Sequence, residues 1–232
     1  MSRPSALTVK TAFIHSLPIL SGFLFLGMAY GVYMRSLGFE MIYPIAMAFF
    51  IFAGSVEFVM ASVLLASFNP LSVLLLIGMI SARQIFYGIS MLDKFKDIKG
   101  FQRFYLISAM TDESFAINYS AKLGDNIDKT WFMLLITAFL HLYWVLGAAL
   151  GAVLSDVLPF DLKGSEFAMT ALFLVIFMEQ WAKEDSHISA VIGVALSALS
   201  LIIFGKDSFL IPTMAGILML LGLLRPHLRA YH

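Results

Sequence analysis

Cysteine is absent from the 232 residues, which excludes disulfides, thiolate metal sites and cysteine nucleophiles. Charged residues are scarce, at 13%, and their formal net charge is zero. Without a block of basic residues, neither nucleic acid nor an anionic membrane surface is indicated as a partner. Walker, dinucleotide-binding and H-E-x-x-H motifs are also missing, so the sequence predicts no enzyme activity, no cofactor and no metal site.

The chain is instead rich in apolar residues. Hydrophobic residues make up 60% of the sequence, with 22 Phe, 14 Met and a mean hydropathy of +0.90, well beyond the composition of a soluble domain. Because lipid admits only helices or closed barrels, and these runs are too long for barrel strands, the sequence predicts an all-α, polytopic integral membrane helical bundle. We expect one transmembrane transporter domain over residues 1–232.

Apolar windows of membrane-spanning size give about seven to eight segments, some of them candidates for broken or re-entrant helices. If all eight cross, Lys and Arg divide equally between the two sides, which suggests that at least one segment is re-entrant or interfacial without identifying it. If the polar fourth segment alone does not cross, the division becomes four against ten, which would put the N-terminus outside and the C-terminus inside. The segments are Ile14–Tyr33, Tyr43–Ser67, Pro70–Met91, Phe101–Ala121, Trp131–Leu154, Phe167–Trp181, Ile188–Phe204 and Phe209–Leu224.

Arg83 lies inside the third segment, where a cation is expensive. Estimates of the cost near a bilayer centre run from about 2.5 to roughly 17 kcal/mol. On helical spacing Arg83 shares a face with Tyr87. Two interpretations stand: a structural ion pair, for instance with Glu57, or a guanidinium that binds a substrate carboxylate.

Polar residues also interrupt the second segment, where Gly54, Ser55 and Glu57 follow an apolar run. A glycine beside a carboxylate at this depth favours a broken helix that faces a cavity. The alternative is a protonated Glu57 that is hydrogen-bonded between helices.

The fourth segment is polar near its middle, at Thr111, Asp112, Glu113 and Ser114. This run resembles a helix start with Thr111 as the cap, which indicates a break between two half-helices. A solvated amphipathic surface is the alternative.

Small residues and a histidine mark the first and fifth segments. The G-x-x-x-G pairs Gly27/Gly31 and Gly147/Gly151 predict close helix packing. His141 is more often an interhelical hydrogen-bonding residue than a proton relay, and both interpretations stand.

Five ordered motifs also resemble one family over nearly the whole chain, the AzlC family of branched-chain amino acid exporters. They are PILSGFLFLGMAYGVYMRSLGF, FFIFAGSVEFV, SARQIFYGISML, SAMTDESFAI and EFAMTALFLV. The resemblance implies a multi-pass protein of the bacterial inner membrane that works with a small AzlD-type membrane subunit and is driven by the proton gradient. The residues that match family positions are Arg83, Tyr87, Gly88, Thr111, Asp112 and Glu113. Glu57 stands where the family usually has Gln, Ser81 where it has Asn, and Gln84 where it has His.

Together these observations predict an alternating-access exporter of branched-chain or similar hydrophobic amino acids. Its substrate-binding residues are predicted to be Gly54, Ser55, Glu57, Arg83, Tyr87, Thr111, Asp112 and Glu113. A non-transporting membrane scaffold or regulatory subunit, and a transporter of another small zwitterion, are the alternatives.

Overall fold

In a computed structural model of the protein, the described residues are 3–65, 69–157, 174, 177–178, 181–182, 187–205, 209, 212–213, 215–217 and 219–220. These residues form helices and connections without a strand, in agreement with the predicted all-α class. The predicted sixth and eighth segments lie largely outside them. The helices are α1 (Ala6–Ser36), α2 (Ile42–Phe50), α3 (Gly54–Leu65), α4 (Pro70–Ile80), α5 (Ala82–Phe95), α6 (Gly100–Ser108), α7 (Asp112–Ser120), α8 (Lys129–Val157) and α9 (Ile188–Phe204).

The chain divides into two compact units, Met1–Met169 and Thr170–His232. The second unit contains α9, whose bounds coincide with the predicted seventh segment. The first unit contains α1 to α8 and all of the predicted site residues. A single domain over residues 1–232 stays a prediction.

Two described helices are long and apolar enough to cross a membrane: α1 with 31 residues and α8 with 29. At about 1.5 Å per residue each exceeds the roughly 30 Å hydrocarbon layer. They lie side by side and run in the same direction. Near their starts the Asp128 N–H lies 3.4 Å from the Thr8 hydroxyl, and near their ends Arg35 forms an ion pair with Asp156. This parallel α1/α8 pair gives the first unit an axis with an N-terminal end and a C-terminal end.

Glycines bring the α1 and α8 backbones into contact, as the two G-x-x-x-G pairs predict. A Cβ placed on Gly27 would lie 2.9 Å from the Trp144 carbonyl oxygen, and one on Gly147 would lie 2.9 Å from that of Leu24. A Cβ on Gly31 or on Gly151 would overlap backbone atoms of the facing helix. The prediction of close packing is therefore confirmed.

Helices α2 and α3 form a hairpin at the C-terminal end of the α1/α8 pair. The last turn of α2 reaches the middle of α8, where the Phe49 carbonyl oxygen lies 3.0 Å from His141 Nε2. Helix α3 then returns along α1: the rings of Phe58 and Tyr33 stack with centroids 5.5 Å apart, and the Ser62 hydroxyl lies 3.3 Å from that of Tyr33. Since Tyr33 belongs to the last turn of α1, the chain has turned back between α2 and α3.

Helices α6 and α7 form a second hairpin at the opposite end. Lys94, in the last turn of α5, donates to the Asn118 and Tyr119 carbonyls at the end of α7 over 2.8 and 2.7 Å. Burial and the positive charge of Lys129, the first residue of α8, both lower the pKa of the Lys94 ammonium. Between these ends α6 carries Tyr105, whose hydroxyl lies 3.1 Å from His141 Nδ1 in the middle of α8. The chain therefore runs toward the middle of α8 in α6 and returns to the N-terminal end of the α1/α8 pair in α7.

Helices α4 and α5 connect the two hairpins and run the length of the first unit. They begin at the C-terminal end of the α1/α8 pair, where α3 finishes, and end at its N-terminal end. The only interruption is at Ser81, with φ −89° and ψ 0°. Their direction is thus opposite to that of α1 and α8.

Candidate functional site

The predicted site residues all lie where a half-helix begins, although they come from three separate segments. They are Gly54, Ser55 and Glu57 in the first turn of α3, Arg83 and Tyr87 in the first two turns of α5, Thr111 as the cap of α7, and Asp112 and Glu113 as its first residues. The first N–H groups of a helix have no intrahelical partner and carry partial positive charge. The starts of α3 and α7 thus combine backbone donors with acidic side chains. Helix α5, which carries the basic Arg83, follows α4 directly after Ser81, and its Gln84 N–H donates to the Ser81 carbonyl over 2.9 Å.

The break between α2 and α3 contains Phe52 in the left-handed region, with φ 46°, a conformation that costs free energy for a bulky residue. In an unbroken helix the Ala53 N–H would donate to the Phe49 carbonyl. Instead it donates to Glu57 Oε1 over 2.9 Å, and the Phe49 carbonyl accepts from His141. Side chains therefore satisfy both members of this lost backbone hydrogen bond, as a membrane interior requires.

Glu57 is fully buried, with no exposed surface. Besides the Ala53 N–H, its carboxylate accepts from Trp144 Nε1, which lies 3.0 Å from both oxygens. The Trp144 ring would contact a Cβ on Gly54 at 3.0 Å, which explains the glycine at that position. The hydrogen bonding between helices that one interpretation of Glu57 predicts is thus observed, while its protonation and a contact with substrate stay predictions.

Another buried polar atom lies beside this carboxylate. The Tyr30 ring stacks on Trp144 with centroids 6.2 Å apart, and its fully buried hydroxyl finds no hydrogen-bond partner within the part of the chain that the structure describes. Buried polar groups without a hydrogen-bond partner are uncommon in folded proteins.

The start of α7 confirms the half-helix that the Thr111 to Ser114 run predicts. Thr111 Oγ1 accepts from the Ser114 N–H over 3.2 Å, and Ser114 Oγ accepts from the Thr111 N–H over 2.8 Å, which is a capping box. Asp112 and Glu113 follow in the first turn, where the helix dipole favours negative charge.

The start of α5 contacts α7. The Tyr87 ring stacks on the Phe115 ring with centroids 4.4 Å apart and an interplanar angle of 16°. The backbone of Arg83 lies in the first turn of α5, and its side chain is outside what the structure describes. Both interpretations of Arg83 therefore stay predictions.

His141 joins the two hairpins. Its Nε2 bonds the Phe49 carbonyl at the end of α2, its Nδ1 lies 3.1 Å from the Tyr105 hydroxyl in α6, and its ring stacks on Phe52 with centroids 4.2 Å apart. Since a carbonyl only accepts, Nε2 carries a proton and donates it. The prediction that His141 forms interhelical hydrogen bonds is confirmed.

The sequence did not single out Trp144 or Tyr105, although both contribute to the site. One signal was available for Trp144: a buried indole N–H requires an acceptor, and few side chains of the apolar segments provide one. Pairing Trp144 with Glu57 requires the distance between them in the folded protein, which their spacing along the chain does not give.

The family model described as "AzlC protein" matches residues 18–158, more than half of the chain. The "Branched-chain amino acid transport protein AzlC" of Bacillus subtilis is 54% identical over 216 residues, which cover 93% of this chain and 85% of the relative.

Other relatives carry only the description "Uncharacterized membrane protein". One from Haemophilus influenzae is 54% identical over 220 residues, covering 95% of this chain and 90% of the relative. One from Helicobacter pylori is 37% identical over 217 residues and covers 93% of each chain. No solved structure matches significantly. The family match and these identities confirm the resemblance of the ordered motifs: the chain belongs to the AzlC family.

Proposed function

We propose that this membrane protein is a multi-pass transporter of the bacterial inner membrane that exports branched-chain or similar hydrophobic amino acids. The observation that carries the proposal is the position of the predicted site residues at three half-helix starts, inside segments that are otherwise apolar. Discontinuous helices of this kind form substrate sites in secondary transporters. The relative from Bacillus subtilis, at 54% identity, is named for branched-chain amino acid transport.

The site chemistry suits a zwitterion. A carboxylate is attracted to Arg83 and to the N–H groups at a half-helix start, because both present positive charge. The amine is matched by a carboxylate, for which Asp112 and Glu113 at the start of α7 and Glu57 in α3 are the candidates. Phe, Met and Ala side chains of the surrounding segments provide an apolar environment for a branched side chain.

The transport cycle we propose is alternating access, driven by the proton gradient and carried out together with a small AzlD-type membrane subunit. The packed helices rock around the central site, so that it opens to one side of the membrane at a time. Family membership supports amino acid transport, and this cycle adds the mechanism that we propose for it.

The replacement Arg83→Gln tests the proposal. We expect the variant to insert and accumulate normally but to lose export of a branched-chain amino acid from preloaded cells, since a neutral amide cannot replace a charge-assisted bond to the carboxylate. Arg103→Gln is the matched control, because Arg103 is an exposed arginine of α6 outside the site.

Normal export by a well-expressed Arg83→Gln variant would refute the role of Arg83. Counterflow in proteoliposomes, with and without the small subunit, tests transport itself. If purified wild-type protein shows no counterflow in either preparation, this chain is not the transporter.

A further inference from the structure

We infer that α2–α3 and α6–α7 are re-entrant hairpins that enter the membrane from opposite faces and meet at His141, which positions the two breaks relative to each other. On this inference the second and fourth apolar segments do not cross. The first unit then crosses the membrane through α1, through α4 and α5 together, and through α8.

The order of contacts along the α1/α8 pair supports the inference that both segments are re-entrant hairpins. Helix α2 starts after α1 ends, reaches His141 through Phe49, and is followed by α3, which contacts Tyr33 in the last turn of α1. Helix α6 starts after α5 ends, reaches His141 through Tyr105, and is followed by α7, whose end contacts Lys94. Each hairpin thus enters and leaves at one end of the pair, and the two ends are opposite.

The parallel direction of α1 and α8 agrees with this path. Every crossing reverses the direction of the chain, so an odd number of crossings must separate two parallel membrane helices. The passage through α4 and α5 supplies one crossing, and each hairpin supplies none.

Basic residues provide a second argument, once the contacts have assigned each of them to one end of the α1/α8 pair. Up to Val157, and leaving out Arg83 inside the crossing segment, Arg35 is the only basic residue at the C-terminal end of the α1/α8 pair. The others lie at or near the N-terminal end: Arg3, Lys10, Lys94, Lys96, Lys99, Arg103, Lys122 and Lys129. Because Lys and Arg accumulate on the cytoplasmic side, the N-terminal end of the pair is cytoplasmic.

The role of His141 follows from the hydrogen bond that it forms with each hairpin. The Phe49 carbonyl has lost its helical partner at the break and accepts from His141 over 3.0 Å. The Tyr105 hydroxyl of the other hairpin bonds the second ring nitrogen over 3.1 Å. One imidazole in the middle of α8 therefore fixes both hairpins to the same level, close to the starts of α3 and α7. His141 acts as a positioning residue through these helices.

The topology is tested by cysteine accessibility, for which the cysteine-free chain is a natural background. Single replacements Glu40→Cys and Asn69→Cys flank the α2–α3 hairpin, and Asp97→Cys and Asp125→Cys flank the α6–α7 hairpin. We expect a membrane-impermeant maleimide to label the first two variants in intact spheroplasts and the last two only in inverted vesicles.

Opposite accessibility of Glu40→Cys and Asn69→Cys would show that the second segment crosses, and the inference would be wrong. Opposite accessibility of Asp97→Cys and Asp125→Cys would overturn it in the same way for the fourth segment. The reverse of the expected labelling would refute the assigned orientation. None of these outcomes depends on transport, so they are separate from a failure of the proposed function.

The positioning role rests on the proposed function and is tested by transport kinetics. His141→Gln retains an N–H donor that can reach the Phe49 carbonyl, whereas His141→Leu removes it. We expect His141→Leu to raise the KM for the exported amino acid on the order of tenfold, and His141→Gln to restore it to within about twofold of the wild type.

Tyr105→Phe keeps this test decisive if His141→Leu does not accumulate. It removes only the hydroxyl bond to His141, and we expect a smaller rise in KM. Tyr143→Phe is the control: it removes a hydroxyl bond of 2.9 Å between α8 and Ser16 of α1, outside the hairpins. Equal effects of Tyr105→Phe and Tyr143→Phe on KM, or no rescue by His141→Gln, would overturn the positioning role.

Discussion

Replacing Gly31 by Ala tests whether the α1/α8 contact stabilises the first unit. The added Cβ would overlap the Ala148 carbonyl and the Ala152 nitrogen. These are backbone atoms of a helix and cannot rotate away, so the two helices must separate. Overpacking of this kind costs about 1–3 kcal/mol, and a fixed neighbour favours the upper part of that range.

The gain in helix propensity opposes this cost. Replacing Gly by Ala inside a helix stabilises it by roughly 0.5–1 kcal/mol. We therefore expect a net loss of about 2 kcal/mol for Gly31→Ala, which corresponds to a fall of about 4–8 °C in the unfolding midpoint of a protein of this size. Thermal unfolding of the purified protein in detergent measures it.

Gly22→Ala is the matched control in the same helix. A Cβ at Gly22 meets nothing within 4 Å, so only the propensity gain remains and the midpoint should hold or rise slightly. If Gly31→Ala unfolds within about 2 °C of Gly22→Ala, the close approach of the two helices contributes nothing measurable and the reasoning fails.

Replacements at two further residues test the helix starts through stability. Glu57→Gln keeps an acceptor for the Ala53 and Trp144 N–H groups, whereas Glu57→Met leaves both buried donors unpaired at about 1–3 kcal/mol each. We expect the Gln variant to unfold close to the wild type in a denaturant titration and the Met variant to be less stable by at least about 2 kcal/mol; equal stability would contradict the bonding described. A raised KM in the Gln variant with unchanged stability would support Glu57 as the partner of the substrate amine. Thr111→Val removes the cap of α7 and should cost about 1 kcal/mol, while Thr111→Ser retains the hydroxyl. Indistinguishable unfolding curves for these two variants would exclude a stabilising capping box.

The sequence predicted much of the local structure, because its signals lie within a few residues of one another. Thr111 and Ser114 stand at the spacing of a capping box, and the structure forms one. Gly54 after an apolar run indicated a break, and α3 begins there. The G-x-x-x-G pairs predicted a close helix contact, which α1 and α8 provide.

Only the structure shows which residues that are distant along the chain lie in contact. Glu57 and Trp144 are 87 positions apart, and so distant a pair leaves no periodic signal in one sequence. For the same reason His141 could be recognised as a hydrogen-bonding residue, but its partners Phe49 and Tyr105 could not be named.

By itself, the sequence determined that this is a helical membrane protein of the AzlC family, with polar interruptions in its second, third and fourth segments. Composition and short motifs suffice for that, since lipid permits few structures and a helix break requires particular residues. Only the tertiary structure decided where the chain turns back. The direction of a half-helix after a break depends on its neighbours. For α2 and α3 these are two residues of a helix far along the chain: His141, which donates to the freed Phe49 carbonyl, and Trp144, which donates to the Glu57 carboxylate that bonds the Ala53 N–H.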